Sequence, residues 1–164
     1  VLLPDDLIWN RGAGATKQLV ELAAREDASV IAVQDVPIEQ TRSYGIVATR
    51  DFTGRHGEIS GIVEKPRPEE APSTLAVVGR YVLQPRIFDL LESTKPGAGG
   101  EIQLTDGIAA LLNERKTLAC RFEGRRFDCG SRIGLIEATL QYALGDAQLS
   151  EPTKALMRQA LAEG

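Results

Sequence analysis

The chain has 164 residues, 43% of them hydrophobic and 26% charged, an ordinary globular composition for about one domain that excludes disorder as a description of the whole. Nineteen Lys+Arg against 23 Asp+Glu give a net charge of −4, and no basic block is long enough to follow a nucleic-acid backbone. No apolar run approaches the ~18–20 residues of a membrane span, so neither nucleic acid nor membrane is expected as a partner.

Val1-Leu2-Leu3-Pro4 is apolar and runs into Asp5-Asp6, as a strand end at a sheet edge would. From Ala15 to Arg25, Leu19, Val20, Leu22 and Ala23 recur at helical spacing. Ser29–Val33 is a β-branched apolar run suited to a buried strand, so residues 1–33 read as a βαβ unit and imply a parallel sheet. Tyr44–Thr49, Ile59–Val63 and Leu75–Leu83 follow as strands without helices between them, which predicts an antiparallel or mixed extension. Pro85–Glu92 and Thr105–Glu114 have helical spacing, separated by Lys95–Gly100, a glycine-rich run expected to be a flexible loop. A strand over Leu118–Phe122, a turn at Gly124-Arg125-Arg126 and two amphipathic helices, Ile133–Leu144 and Thr153–Ala162, complete the chain.

Few residues can carry chemistry. Cys120 and Cys129 form neither a disulfide framework nor a CxxC metal pair, which favours a reducing, cytoplasmic setting. The one histidine, His56, is expected as a solvated turn residue, so hydrolase schemes that need a histidine base are poorly supported. Gly12-Ala13-Gly14-Ala15-Thr16-Lys17 fails the phosphate-loop spacing. Asp5-Asp6 follows a strand, where a carboxylate can hold Mg²⁺ against phosphate oxygens or simply cap a turn, and Asp128 is a possible second oxygen ligand with the same alternative. Glu64-Lys65-Pro66 ends a strand. A carboxylate there can accept from sugar hydroxyls while the adjacent ammonium neutralises a phosphate, the alternative being a surface ion pair. Gly45 and Gly79 lie inside strand patterns, where glycine marks a bulge or close backbone approach.

Leu3-Pro4-Asp5-Asp6, Tyr44-Gly45-Ile46-Val47, Val63-Glu64-Lys65-Pro66, Ala71-Pro72-Ser73, Val78–Leu83, Gly97–Asp106 and Asp128-Cys129-Gly130 occur together and in order. This set resembles the sugar-nucleotide pyrophosphorylase family. Glu101-Ile102-Gln103-Leu104-Thr105-Asp106 and the Asp-Cys-Gly end are the runs most specific to its bacterial uridylyltransferase branch. The resemblance implies an α/β fold with a Rossmann-like mixed sheet of the nucleotide-diphospho-sugar transferase type and C-terminal helices. It implies a partial nucleotidyltransferase domain over 1–130 and a helical segment over 131–164. The implied activity joins UTP and glucose 1-phosphate to give UDP-glucose and pyrophosphate, with Mg²⁺ and usually as a homo-oligomer.

By the same resemblance, Asp5 and Asp128 are the metal carboxylates. Glu64 accepts from glucose hydroxyls, Lys65 binds the sugar's phosphate, and Gly45 and Gly79 bring backbone against the sugar. Lys65 and Asp5 are thus the expected catalytic residues. The family's GxGTRxxPxTK triphosphate loop does not occur in these residues, and the single methionine is Met157, so Val1 is not a translation start. A processed, trimmed or partial chain is expected, matching the later part of the family's enzymes and lacking their N-terminal strands. Its Leu2 and Val33 would lie on an exposed, unpaired sheet edge. The alternatives are a thymidylyl- or other nucleotidyl-transferring relative, and a non-catalytic sugar-phosphate-binding remnant. Glu101–Asp106 has no contact assignable from sequence; Thr105 or Gln103 is the expected helix cap.

Overall fold

The computed structural model describes residues 1–96 and 100–163, and its contacts divide the chain into two compact units. Residues 97–99 of the expected flexible loop lie outside the described residues.

The first unit comprises residues 1–3 and 15–123. Its strands are β2 (Ser29–Asp35), β3 (Gly45–Thr53), β4 (His56–Glu64), β5 (Leu75–Val82) and β6 (Thr117–Arg121), with a short 3-10 helix at Ile38–Ser43. They pair in the order β2-β5-β3-β4-β6, and β6 returns to β2, closing the sheet on itself. Only β2 and β6 are parallel, the rest antiparallel, so the mixed sheet expected from the resemblance is present. Helix α1 (Ala15–Glu26) buries Ala15, Leu19 and Leu22, while Val20 stays half exposed because it falls outside the ~100°-wide apolar stripe. Helices α2 (Arg86–Ser93) and α3 (Leu104–Leu111) cover the sheet. Ile31, Val33, Val47, Ile59, Ile87, Leu90, Ile108 and Leu111 form the core.

Closure of the sheet corrects the expected edge. Val33 is 1% exposed and has Val77 on one side and Arg121 on the other, because β2 is central rather than peripheral. Leu2 is indeed exposed, at 59%, bridging Arg80. The βαβ reading of residues 1–33 also changes. Residues 1–3 run antiparallel against β5, with Leu3 N–H donating to Gly79 O at 2.9 Å and Tyr81 N–H to Val1 O at 3.0 Å. The parallel partner of β2 is the distant β6, a pairing that no local pattern encodes.

The second unit comprises residues 4–14 and 124–163 of the described chain. Strand β1 (Asp6–Trp9) pairs antiparallel with β7 (Arg125–Asp128), joined by helices α4 (Arg132–Gly145) and α5 (Ser150–Glu163). The expected Gly-Arg-Arg turn is therefore only Gly124. Arg125 and Arg126 belong to β7, where Arg126 pairs with the buried Asp6. Gly124 has φ +140°, and a Cβ there would lie 2.9 Å from Trp9 O, so only glycine fits the corner. Asn10 closes the glycine run as an Asx turn, its Oδ1 accepting from Gly12 N–H at 3.2 Å. Among the described residues no helix is long and apolar enough to cross a membrane.

Both cysteines are free thiols. Cys120 sits on β6 in register with His56, which is the half-buried first residue of β4 and not the solvated turn residue expected. Burial pushes the Cys120 thiol up, whereas Cys129 is only partly covered. Thiolate is the reactive species, so a thiol reagent at pH 8 should label Cys129 quickly and Cys120 only on unfolding. Mass spectrometry of the labelled peptides checks the order; equal rates would mean that β6 opens readily.

Candidate active site

Two groups of the expected site residues form in the structure, one in each unit. In the first, β3 and β4 run antiparallel and place Gly45 opposite Glu64. The hairpin ends there because Lys65 turns out of the ladder with φ +47°, left-handed in a residue that is neither Gly nor Asn. This conformation is doubly unfavourable before Pro66, since proline disfavours helical geometry in the residue preceding it. It is held by Lys65 N–H donating to Tyr44 O at 3.0 Å, while the buried Thr41 hydroxyl donates to Ile38 O at 2.8 Å and lies beside Pro66 O at 3.4 Å. Backbone strain held this firmly is a common mark of a functional position.

The side chains around that turn converge. Lys65 Nζ lies 3.7 Å from Glu64 Oε1, with the lysine side chain 62% exposed and the glutamate 31%. Glu64 Oε2 accepts a 2.6 Å hydrogen bond from the hydroxyl of Thr105 in the first turn of α3. A Cβ on Gly45 would sit 3.3 Å from Glu64 Oε2 and 3.7 Å from Thr105 Oγ1, so glycine keeps the carboxylate uncrowded. Val77 Cγ2 flanks the same point at 3.6 Å.

Gly79 lies two residues along β5 from Val77, at a bulge: the β2 partners step from Tyr81 opposite Ile31 to Val77 opposite Val33. It is buried, and its carbonyl accepts from Leu3 N–H and from Arg80 Nη1 at 2.7 Å. The bulge expected of a strand glycine is thus found.

Thr105 is the residue that sequence reasoning missed. It does not cap α3: the cap is Gln103, which makes no side-chain capping bond. Asp106 falls in the first turn, favourable toward the helix dipole. Nothing local marks Thr105, which reaches Glu64 across 41 residues.

In the second unit, the β1–β7 pairing places Asp6 opposite Asp128, and Cys129 N–H donates to Asp5 O at 2.7 Å. The carboxylates of Asp5 and Asp128 thereby flank Gly130, where a Cβ would be 3.1 Å from Asp128 Oδ1 and 3.8 Å from Asp5 Oδ2. Asp128 Oδ1 also accepts from Gly130 N–H at 3.1 Å. Two exposed carboxylates with oxygens around one point suit Mg²⁺, which takes one or two carboxylates and keeps several waters. Among the described residues no group of three or more His, Cys, Asp or Glu forms a complete protein cage. Asp6 is not part of this pair, its carboxylate being engaged by Arg126.

The chain thus has a mixed α/β sheet with a carboxylate–lysine pair at a strained strand end in one unit, and two exposed aspartates around one point in the other. The chain belongs to the nucleotidyl transferase family, which matches it over residues 1–144. Among individual proteins it is 49% identical over 140 residues to the UTP–glucose-1-phosphate uridylyltransferase of Pseudomonas aeruginosa, covering 85% of this chain and 50% of that protein. It is 43% identical over 159 residues to the enzyme of the same name from Staphylococcus epidermidis, covering 97% of this chain and 55% of that protein. A solved UDP-glucose pyrophosphorylase in complex with UDP-glucose superposes with a TM-score of 0.82 at 38% identity, covering 88% of this chain and 55% of that one. The chain spans about half the length of the curated relatives it matches.

Proposed function

We propose that this chain supplies the sugar-phosphate and metal side of a UTP–glucose-1-phosphate uridylyltransferase that makes UDP-glucose and pyrophosphate. The observation that carries the reading is the Glu64–Lys65 corner. An acceptor for hydroxyls and a cation for phosphate emerge from adjacent residues, opposite a glycine that leaves room beside them.

In the reaction, a phosphate oxygen of glucose 1-phosphate attacks the α-phosphorus of UTP in line. The new O–P bond forms as the bond to the pyrophosphate oxygen breaks, so catalysis is chiefly positioning and charge stabilisation. Lys65 holds the attacking phosphate and offsets its charge, while Glu64 accepts from the sugar hydroxyls and orients the ring. Gly45 lets the sugar approach the backbone, and Gly79 shapes β5 beside it. Asp5 and Asp128 would hold Mg²⁺, which when bound supplies positive charge to phosphate oxygens. Free thiols suit a reducing, cytoplasmic setting. Exposed Ile133, Ile136, Leu156 and Leu161 on α4 and α5 favour a homo-oligomer.

Pyrophosphate release from UTP plus glucose 1-phosphate, by an enzyme carrying these residues behind a complete triphosphate loop, tests the activity. Turnover with dTTP in preference to UTP would favour a thymidylyl-transferring relative. Binding of glucose 1-phosphate with no pyrophosphate release would favour a non-catalytic role. The 164 residues alone are expected to turn over little or not at all.

The metal assignment has its own check. Mn²⁺, a paramagnetic substitute for Mg²⁺, should broaden the amide signals of Cys129 and Gly130, and Asp128→Asn should abolish or sharply weaken that effect. Unchanged broadening in Asp128→Asn would remove Asp128 from the ligand set.

A further inference from the structure

The hydroxyl of Thr105 and the carboxylate of Glu64 are 2.6 Å apart, the length of a charge-assisted O–H···O bond. Helix α3, which carries Thr105, is anchored: Ile108 and Leu111 are 1% and 0% exposed, and Gly107 lies against Leu91 and Ile87 so tightly that a Cβ would be 2.6 Å from Leu91 Cδ2. Thr105 therefore projects from an element that cannot easily shift. The two carboxylate oxygens are thereby differentiated. Oε2 is taken by Thr105 and faces Gly45, whereas Oε1 faces Lys65 Nζ at 3.7 Å.

We infer that Thr105 is a positioning residue for sugar recognition. Its hydroxyl clamps Glu64 Oε2, fixing the terminal carboxylate torsion so that Oε1 is presented to a ligand hydroxyl beside the phosphate held by Lys65. That torsion is broad and roughly two-fold in a free glutamate, so the clamp converts a swivelling acceptor into an oriented one. The inference rests on the reading of Glu64 and Lys65 as a glucose 1-phosphate site. It adds a discriminating consequence: the site selects sugar phosphates that carry a donor hydroxyl at the position Oε1 addresses, and rejects the corresponding deoxy sugar.

Calorimetric titration of glucose 1-phosphate, its mono-deoxy analogues and inorganic phosphate into the 164-residue chain tests this, with Thr105→Val, Thr105→Ser and Glu64→Gln alongside. The wild-type chain should disfavour at least one deoxy analogue. Thr105→Val should weaken glucose 1-phosphate about tenfold, on the scale of one hydrogen bond, and lose that discrimination, while leaving inorganic phosphate unchanged. Thr105→Ser, which keeps the hydroxyl, should retain both affinity and discrimination. If Glu64→Gln weakens the sugar phosphate but Thr105→Val matches wild type, or if Thr105→Ser fails as Thr105→Val does, the clamp is wrong and the site reading stands. If Glu64→Gln matches wild type, or glucose 1-phosphate does not bind, the site reading itself is overturned and the clamp with it. Thermal melts establish that each variant is folded; should valine not be accommodated, Thr105→Ala carries the same expectations.

Discussion

Replacing Lys65 by alanine is expected to weaken glucose 1-phosphate binding to this chain by about 10- to 150-fold, the ~1.5–3 kcal/mol of a hydrogen bond to a charged group. The lysine side chain is 62% exposed, so solvent screening places the effect toward the lower end of that range. A surface ion pair with Glu64 predicts something different, a stability change of about 1 kcal/mol or less with no effect on a sugar phosphate. The backbone supplies a second discriminant. Alanine inherits the left-handed φ of +47° and its strain, whereas glycine adopts that conformation freely. Lys65→Gly should therefore lose as much affinity as Lys65→Ala yet melt higher, by about 1 kcal/mol of relieved strain. Calorimetry and thermal denaturation of the two variants separate the charge from the conformation. Full affinity in Lys65→Ala would remove Lys65 from the site.

The second large effect concerns the frame that holds Asp128. Gly134 lies in the first turn of α4, and a Cβ there would be 1.9 Å from Asp128 O and 2.8 Å from its carbonyl carbon. These are backbone atoms, so no side-chain rotation relieves the overlap; the helix must move away from the end of β7. The same corner is closed by Ser131. Its Oγ accepts from Gly134 N–H at 3.1 Å and donates to Asp128 O at 3.0 Å, capping the helix and fixing the aspartate's main chain. Gly134→Ala should thus cost about 3 kcal/mol or more, at or beyond the upper end of ordinary overpacking. Ser131→Ala, which loses only the cap, should cost about 1 kcal/mol. Gly134→Ala should also weaken the Mn²⁺ broadening at Cys129 and Gly130, since the aspartate is displaced with its carbonyl. A Gly134→Ala protein that melts within 1 kcal/mol of wild type would show that α4 is not seated on Asp128 as described.

Much of the fold was legible because burial is periodic. The α1 stripe of Leu19 and Leu22, the Ser29–Val33 run and the β3, β4 and β5 strands all lie within four residues of their expected bounds. What escaped was non-local or too short to carry a pattern. Strand β1 begins at Asp6 rather than Val1, and β7 contains two arginines; a four-residue strand of a two-stranded ribbon shows no clean alternation. Closure of the sheet through β2 and β6 depends on residues nearly ninety positions apart, such as Val30 and Leu118, and it is this closure that buries Val33.

The site followed the same division. Glu64-Lys65-Pro66 and Asp5 with Asp128 could be singled out by residue type and by resemblance, and the structure brings each set together locally. The left-handed Lys65 could not be foreseen, because proline following it argues for extended backbone. Thr105 could not be foreseen either, since the residue that gives it meaning lies on another strand.

The proposed function places glucose 1-phosphate at the β3–β4 corner beside α3. A ¹H–¹⁵N NMR titration of the 164-residue chain with glucose 1-phosphate decides whether it binds there. Saturable shifts are expected at the amides of Gly45, Glu64, Lys65 and Thr105, with the midpoint moved to at least about tenfold higher concentration in Lys65→Ala. Shifts confined to other parts of the chain, or none at all, would contradict it.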